Sequence, residues 1–66
     1  MEKHVLFYDE DVPECGQAAA VLDGAGLLFE LIPCSGLVEA ELATARATHQ
    51  GIGNILRYVQ AQLLAA

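Results

Sequence analysis

The sequence predicts an α/β fold that is built on one β-α-β unit with a small sheet. Three observations support this prediction: an apolar run at residues 5–8, an Ala-rich segment that begins at Pro13, and a second apolar run at residues 27–32 that ends at Pro33. Apolar runs without polar alternation are typical of strands that are covered on both faces, as in parallel sheets. Because a helix joins the two runs, we expect the strands to be parallel and the crossover to be right-handed.

The helix of this unit is predicted to begin at Pro13, since the missing N–H of a proline costs nothing in the first turn. Its expected buried stripe consists of four apolar residues at helical spacing: Ala18, Val21, Leu22 and Ala25. Gly24 and Gly26 end the helix, and we expect one of them to adopt the left-handed cap conformation.

Two further helices are predicted after this unit. The first runs from about residue 37 to 47 and carries a weak apolar stripe. The second is capped by Asn54 and ends near Leu64. Four of its residues fall on one face: Ile55, Tyr58, Val59 and Leu63. No β-hairpin is predicted between Leu37 and Gly53, although a short strand near Gly51 is left open as an alternative.

Length and charge limit the classes of partner. The chain has 66 residues, which allow a single domain over residues 1–66. The formal net charge is −6 and only Lys3, Arg46 and Arg57 are basic, which disfavours nucleic acid and anionic membranes as partners. The sequence shows neither a signal-peptide pattern nor an apolar run near the roughly 18 residues of a membrane span. We therefore expect a cytoplasmic protein.

The apolar content predicts self-association. Hydrophobic residues make up 55% of the chain, and the mean hydropathy is +0.40. A chain of this length buries only about 60% of the surface that its unfolded form exposes. More apolar surface is present than the predicted elements can hide, so we expect a homodimer. Exchange of a segment between subunits, with Gly24 and Gly26 or the loop at Gly51 as hinges, is one route to such a dimer.

Residues 8–32 resemble the glutaredoxin branch of the thioredoxin fold and are similar to the N-terminal domain of glutathione transferases. The matching positions are Val12-Pro13-Glu14-Cys15, Ala18, Leu22, Ala25-Gly26 and Phe29-Glu30. Residues 51–59 are similar to the last helix of such domains. The resemblance implies a truncated thioredoxin-like domain, with Tyr8, Pro13 and Glu14 as binding residues beside a thiol site.

The chain also departs from the family pattern. Val12 stands at the position of the family's nucleophilic cysteine, so that only the second cysteine, Cys15, is kept. No proline follows Pro33, and the family's Thr-Val-cis-Pro segment is therefore absent. The span from Leu37 to Gly53 also has no clear β-hairpin, although the family's third and fourth strands should lie there. On these departures a glutathione site is not carried over, and no cofactor is expected.

The two cysteines leave two hypotheses open. Four carboxylates near Cys15, on Asp9, Glu10, Asp11 and Glu14, disfavour its thiolate more than a helix N-terminus favours it. The first hypothesis makes Cys15 a buried residue that packs the helix. The second makes Cys15 the nucleophile and Cys34 the resolving thiol of a thiol–disulfide oxidoreductase, with glutathione as its possible co-substrate. Both residues are expected at the carboxyl edge of the parallel strands, where ligands bind in such sheets.

Several other polar residues are given structural roles. The acidic cluster of Asp9, Glu10, Asp11 and Glu14 complements the helix dipole, with a hard cation as the alternative; no metal site is expected. His4 and His49 have no metal-ligand spacing and are expected on the surface. Tyr8 is expected in the core or at its rim, and Gly51 and Gly53 in a turn and a helix cap.

The sequence thus predicts a small glutaredoxin-like domain that has lost its catalysis and acts in binding or in homodimeric assembly. The alternative is the oxidoreductase that uses Cys15 and Cys34.

Overall fold

A computed structural model describes residues 3–65 of the chain. These residues form four strands and two helices: β1 His4–Tyr8, α1 Pro13–Gly24, β2 Phe29–Pro33, β3 Glu41–Ala43, β4 Thr48–Gln50 and α2 Ile52–Ala65. The strands make one mixed sheet in the order β2-β1-β3-β4. The predicted α/β class is therefore confirmed. Within residues 3–65 no helix is both long enough and apolar enough to cross a membrane.

The predicted parallel β-α-β unit is confirmed. Strands β1 and β2 pair in parallel, with a register that runs from His4 opposite Phe29 to Tyr8 opposite Pro33. The helix α1 begins at Pro13, as predicted, after Val12 in an extended conformation. Its predicted stripe faces inward, since Ala18 and Leu22 are buried while Val21 and Ala25 pack against the core.

A Schellman motif ends α1 and sets the approach to β2. The N–H of Leu27 donates to the carbonyl of Leu22 at 3.1 Å, and the N–H of Gly26 donates to the carbonyl of Asp23 at 3.0 Å. Gly26 has a φ of +74°, so it is the predicted left-handed glycine, whereas Gly24 lies inside the helix. Because Leu27 belongs to this cap, β2 starts two residues later than the apolar run suggested.

The predicted helix over residues 37–47 is wrong. The strands β3 and β4 form an antiparallel hairpin there, so the chain continues after the β-α-β unit with a hairpin and one helix. Thr44 begins the turn: its N–H donates to the Ala47 carbonyl at 2.8 Å, and its hydroxyl oxygen accepts the N–H groups of Arg46 and Ala47 at 3.2 and 3.1 Å. Such local bonds compete with helix formation. Pairing of β3 with β1 then buries Leu42 opposite Leu6.

The predicted last helix is confirmed, but the predicted cap at Asn54 is wrong, because the helix begins at Ile52 and Asn54 lies in its first turn. Gly51, with a φ of +86°, makes the turn before it, and the Asn54 side chain donates to the Gln50 carbonyl at 2.8 Å. The helix α2 packs its residues Ile55 and Val59 into the core, but Leu63 on the same stripe remains half exposed.

The core lies between the sheet and one layer of helices. Its members are fully or almost fully buried: Leu6, Cys15, Ala18, Leu22, Ala40, Leu42, Ile55 and Val59. Side chains alternate between the two faces of a strand. Leu6 and Leu42 face α1 and α2, so their strand neighbours face the other way. We call that side the open face; its apolar members are Val5, Phe7, Ile32 and Ala43, none of which packs against the core.

The two glycines at the end of α1 provide a matched test of this fold. Gly26→Ala places a side chain at a φ of +74° and should destabilise the protein by about 1–2 kcal/mol. Gly24→Ala should stabilise it by up to about 1 kcal/mol, because Gly24 is helical and no heavy atom beyond its chain neighbours and the adjacent helix backbone lies within 4 Å of the added methyl group. Urea denaturation followed by circular dichroism measures both changes. Equal effects of the two substitutions would contradict the Schellman cap.

Candidate functional site

The carboxylate of Asp9 joins the two loops at the carboxyl edge of β1 and β2. Its Oδ1 accepts the N–H of Asp11 at 3.0 Å, and its Oδ2 accepts the N–H groups of Gly36 and Leu37 at 2.9 and 3.2 Å. The first bond supports the turn over residues 9–12, which is closed by the Val12 N–H on the Asp9 carbonyl at 2.9 Å. Asp9 is therefore a structural residue, although the sequence suggested only a charge at a helix start.

These bonds perturb the acidity of Asp9. The Asp11 N–H, together with those of Leu37 and Gly36, stabilises the ionised carboxylate. Burial of the side chain opposes this effect but does not cancel it, so the pKa of Asp9 lies below its ordinary value. Ionised Asp9 thus holds the loop after β1 against the loop after β2. The sequence signal was available, since an Asp at the first position of a turn often bonds the N–H two residues later.

A surface depression of about 420 Å³ opens at the same edge. We call it the Cys34 depression; its lining residues are Tyr8, Asp9, Glu10, Asp11, Pro33, Cys34 and Ser35. Cys34 continues the pairing of β2 with β1, because its N–H donates to the Tyr8 carbonyl at 2.8 Å. Its side chain is half-buried. Of the two cysteines, Cys34 is therefore the one that lines this depression, together with three acidic residues.

Cys15 does not line the Cys34 depression. It is fully buried, and its Sγ lies 3.8 Å from the Phe7 carbonyl oxygen, which can accept the weak S–H bond. The predicted burial of Cys15 against the helix is confirmed. Both cysteines are free thiols. A disulfide substrate therefore has no access to the sulfur of Cys15 in this conformation.

The three predicted binding residues surround the start of α1. Tyr8 is half-buried, and its hydroxyl lies 3.9 Å from the point where a Cβ at Gly16 would stand. Pro13 is exposed in the first turn of the helix. Glu14 reaches away from the Cys34 depression: its Oε1 accepts the Ala40 N–H in a long contact of 3.5 Å. Tyr8 alone of the three lines the depression.

Three of the four acidic side chains line the Cys34 depression, and Glu14 does not. Asp9 is committed to three N–H groups, Glu14 points to the segment before β3, and Glu10 and Asp11 are exposed. Within residues 3–65 no three His, Cys, Asp or Glu side chains gather in a way that could hold a metal ion.

The prediction that His4 lies on the surface is wrong. His4 is buried at the start of the central strand β1, with Nδ1 at 3.2 Å from the Leu28 carbonyl oxygen and Nε2 at 2.8 Å from the Tyr58 hydroxyl. Because a carbonyl only accepts, the contact with Leu28 is a hydrogen bond in the tautomer whose proton is on Nδ1. The ring of Tyr58 also lies 4.5 Å from that of His49, which is half-buried on β4. The signal missed was the period of two, which puts His4 on the same strand face as Leu6.

Asp9→Asn tests the bridge between the loops. The carboxylate has a lowered pKa in the folded state, so its contribution to stability is present above its unfolded pKa of about 4 and is lost as the pH falls below that value. Asp9→Asn should therefore lower the free energy of unfolding at pH 7. Between about pH 5 and pH 2 the free energy of unfolding should fall less steeply in this variant than in the wild type. Urea denaturation at each pH gives the measurement.

Asp11→Asn is the matched control, because it removes a charge from the same turn while the Asp11 backbone N–H still donates to Asp9. It should keep the acid sensitivity of the wild type. If Asp9→Asn kept that sensitivity as well, the bridge would contribute nothing.

No family model matches this chain, and neither the curated proteins nor the solved structures contain a match.

Proposed function

We propose that this chain is a truncated thioredoxin-like domain of the glutaredoxin type that has lost thiol catalysis and works by binding, as a homodimer. The order β2-β1-β3-β4, with α1 and α2 on one face, supports the kinship. The hairpin of β3 and β4 also lies where the resemblance requires the family's third and fourth strands. It thereby removes one of the departures that the sequence suggested.

The thiol geometry favours binding over catalysis. Val12, at the position of the family's nucleophile, caps α1 without any side-chain bond. Cys15 is fully buried in the core. To attack a disulfide, a thiol must be accessible and must be ionised to the thiolate. The Cys34 depression has no basic residue in its lining, so the two carboxylates of glutathione would meet Asp9, Glu10 and Asp11 without a counter-charge. These residues do not fit glutathione.

The edge strand β2 carries the proposal of assembly. Leu31 faces the helices and is 51% exposed, while Ile32 faces the open side and is 40% exposed. Leu28, just before the strand, is 73% exposed. An apolar edge strand whose side chains are exposed on both faces is a template for another strand. A strand that pairs with β2 places side chains beside Leu31 on one face of the sheet and beside Ile32 on the other.

A second copy of the same strand fits this edge. If a two-fold axis passes at Leu31, antiparallel pairing places Leu31 opposite Leu31 of the other copy and Glu30 opposite Ile32. Like charges therefore do not face one another, and Glu30 is already paired with Lys3 at 3.4 Å. The other edge strand of the described sheet, β4, has only three residues, which are polar, and it is therefore a poor template for such pairing. Edge pairing also needs no exchange of segments between subunits.

The dimer is tested by a charge at its axis. The wild type should show twice the chain mass of 7.0 kDa in light scattering, and Leu31→Glu should show a single chain, because two carboxylates would then face each other. Val38→Glu is the matched control: Val38 is 94% exposed in the loop after β2, and the same substitution there should leave the dimer intact.

Circular dichroism confirms that each variant is folded before its mass is compared. A wild type that stays monomeric at high concentration, or a folded Leu31→Glu variant that stays dimeric, would refute pairing at this edge.

The loss of catalysis has its own test. Insulin reduction, with an active glutaredoxin as positive control, should be near zero for the wild type and for Cys15→Ser alike. Clear activity in the wild type that disappears in Cys15→Ser would instead establish the thiol–disulfide oxidoreductase, with Cys34 as the candidate resolving thiol.

A further inference from the structure

A second depression, of about 340 Å³, lies between β4 and α2 at the edge of the sheet away from β2. We call it the Arg57 depression; its lining residues are Thr48, His49, Gln50, Asn54, Arg57, Tyr58 and Ala61. We propose that it binds a small aromatic carboxylate. Its volume is at the lower end of the range for small-molecule sites.

Charge is the first argument. The chain has nine acidic and three basic side chains, yet among residues 3–65 the lining of the Arg57 depression includes a basic residue and no acid. Within residues 3–65 the Arg57 guanidinium makes no hydrogen bond and no ion pair. The nearby acid Glu41 accepts the Gln50 amide at 3.0 Å and belongs to the opposite face of the sheet from His49. The depression therefore offers a cation to an anionic ligand in an otherwise acidic protein.

The second argument is a fixed aromatic wall. The rings of His49 and Tyr58 lie 4.5 Å apart at an angle of 32°. The Tyr58 hydroxyl is bonded to buried His4 at 2.8 Å, and His4 in turn contacts the Leu28 carbonyl at 3.2 Å. Because this chain of bonds fixes the Tyr58 ring, a ligand in the depression contacts an aromatic side chain that is already ordered.

The spacing along α2 brings these groups together. Four residues of α2 that line the depression lie on one side of the helix, because successive members are three, one and three positions apart: Asn54, Arg57, Tyr58 and Ala61. Asn54 also holds the helix to the end of β4 through its bond to the Gln50 carbonyl. A guanidinium binds a planar carboxylate through two parallel N–H bonds. A flat ring attached to that carboxylate can lie against Tyr58 and the methyl group of Ala61.

Benzoate is the probe for this site, with benzamide and inorganic phosphate as matched ligands. In a ¹H–¹⁵N NMR titration of the full chain, benzoate should give saturable shifts at β4 and the first half of α2. Benzamide has the same shape without the charge and should bind at least about tenfold more weakly. Phosphate has the charge without the ring and should also bind more weakly.

Each control can overturn one part of the proposal. Benzamide binding as tightly as benzoate would overturn the role of charge, and phosphate binding as tightly would overturn the aromatic wall. Benzoate shifts that never saturate, or that fall elsewhere on the chain, would overturn the site itself.

The matched variants are Arg57→Gln and Arg46→Gln. Both remove one positive charge, but Arg46 lies exposed in the hairpin turn and does not line the depression. Arg57→Gln should weaken benzoate at least about tenfold, and Arg46→Gln should change it by less than about twofold. If both variants weakened benzoate binding equally, the effect would come from the net charge of the protein, and the site would be refuted. The result is independent of the dimer, because the Arg57 depression is on the edge away from β2.

Discussion

Leu6 lies in the middle of the central strand β1, with Leu31 beside it on β2 and Leu42 beside it on β3. It is fully buried because α1 and α2 cover this face of the sheet. A change in the register of β1 by one residue would turn its apolar side chains to the other face. The pairing around Leu6 therefore fixes which face of each strand is covered, and the remaining surfaces follow from it.

Two surfaces follow from this pairing. Within residues 3–65 the two helices cover one face of the sheet, so Val5 and Phe7 on the open face have no helical layer there and the edge strand β2 keeps apolar side chains exposed. At the other edge, the polar strand β4 meets a helix that carries Arg57. An apolar edge favours association, whereas a basic depression with an aromatic wall favours a small anion.

The functional groups differ in how far the sequence predicted them. Burial of Cys15 was predicted, because the nearby carboxylates disfavour its thiolate and leave a small thiol that packs the helix. The roles of Asp9 and His4 were not. Each depends on partners far along the chain: Gly36 and Leu37 for Asp9, and Leu28 and Tyr58 for His4. Sequence patterns assign a polar residue to the surface unless its distant partner is known.

The sequence by itself determined the β-α-β unit, the start of α1 at Pro13 and the glycine cap at Gly26, because these depend on local backbone preferences and on apolar periodicity over many residues. Only the tertiary structure decided that residues 41–50 form a hairpin. Each of its strands has three residues, too few to show a period of two, and the pairing of Leu42 with Leu6 joins segments that are far apart in the chain. A contact of that kind stabilises a strand only once the rest of the sheet is present.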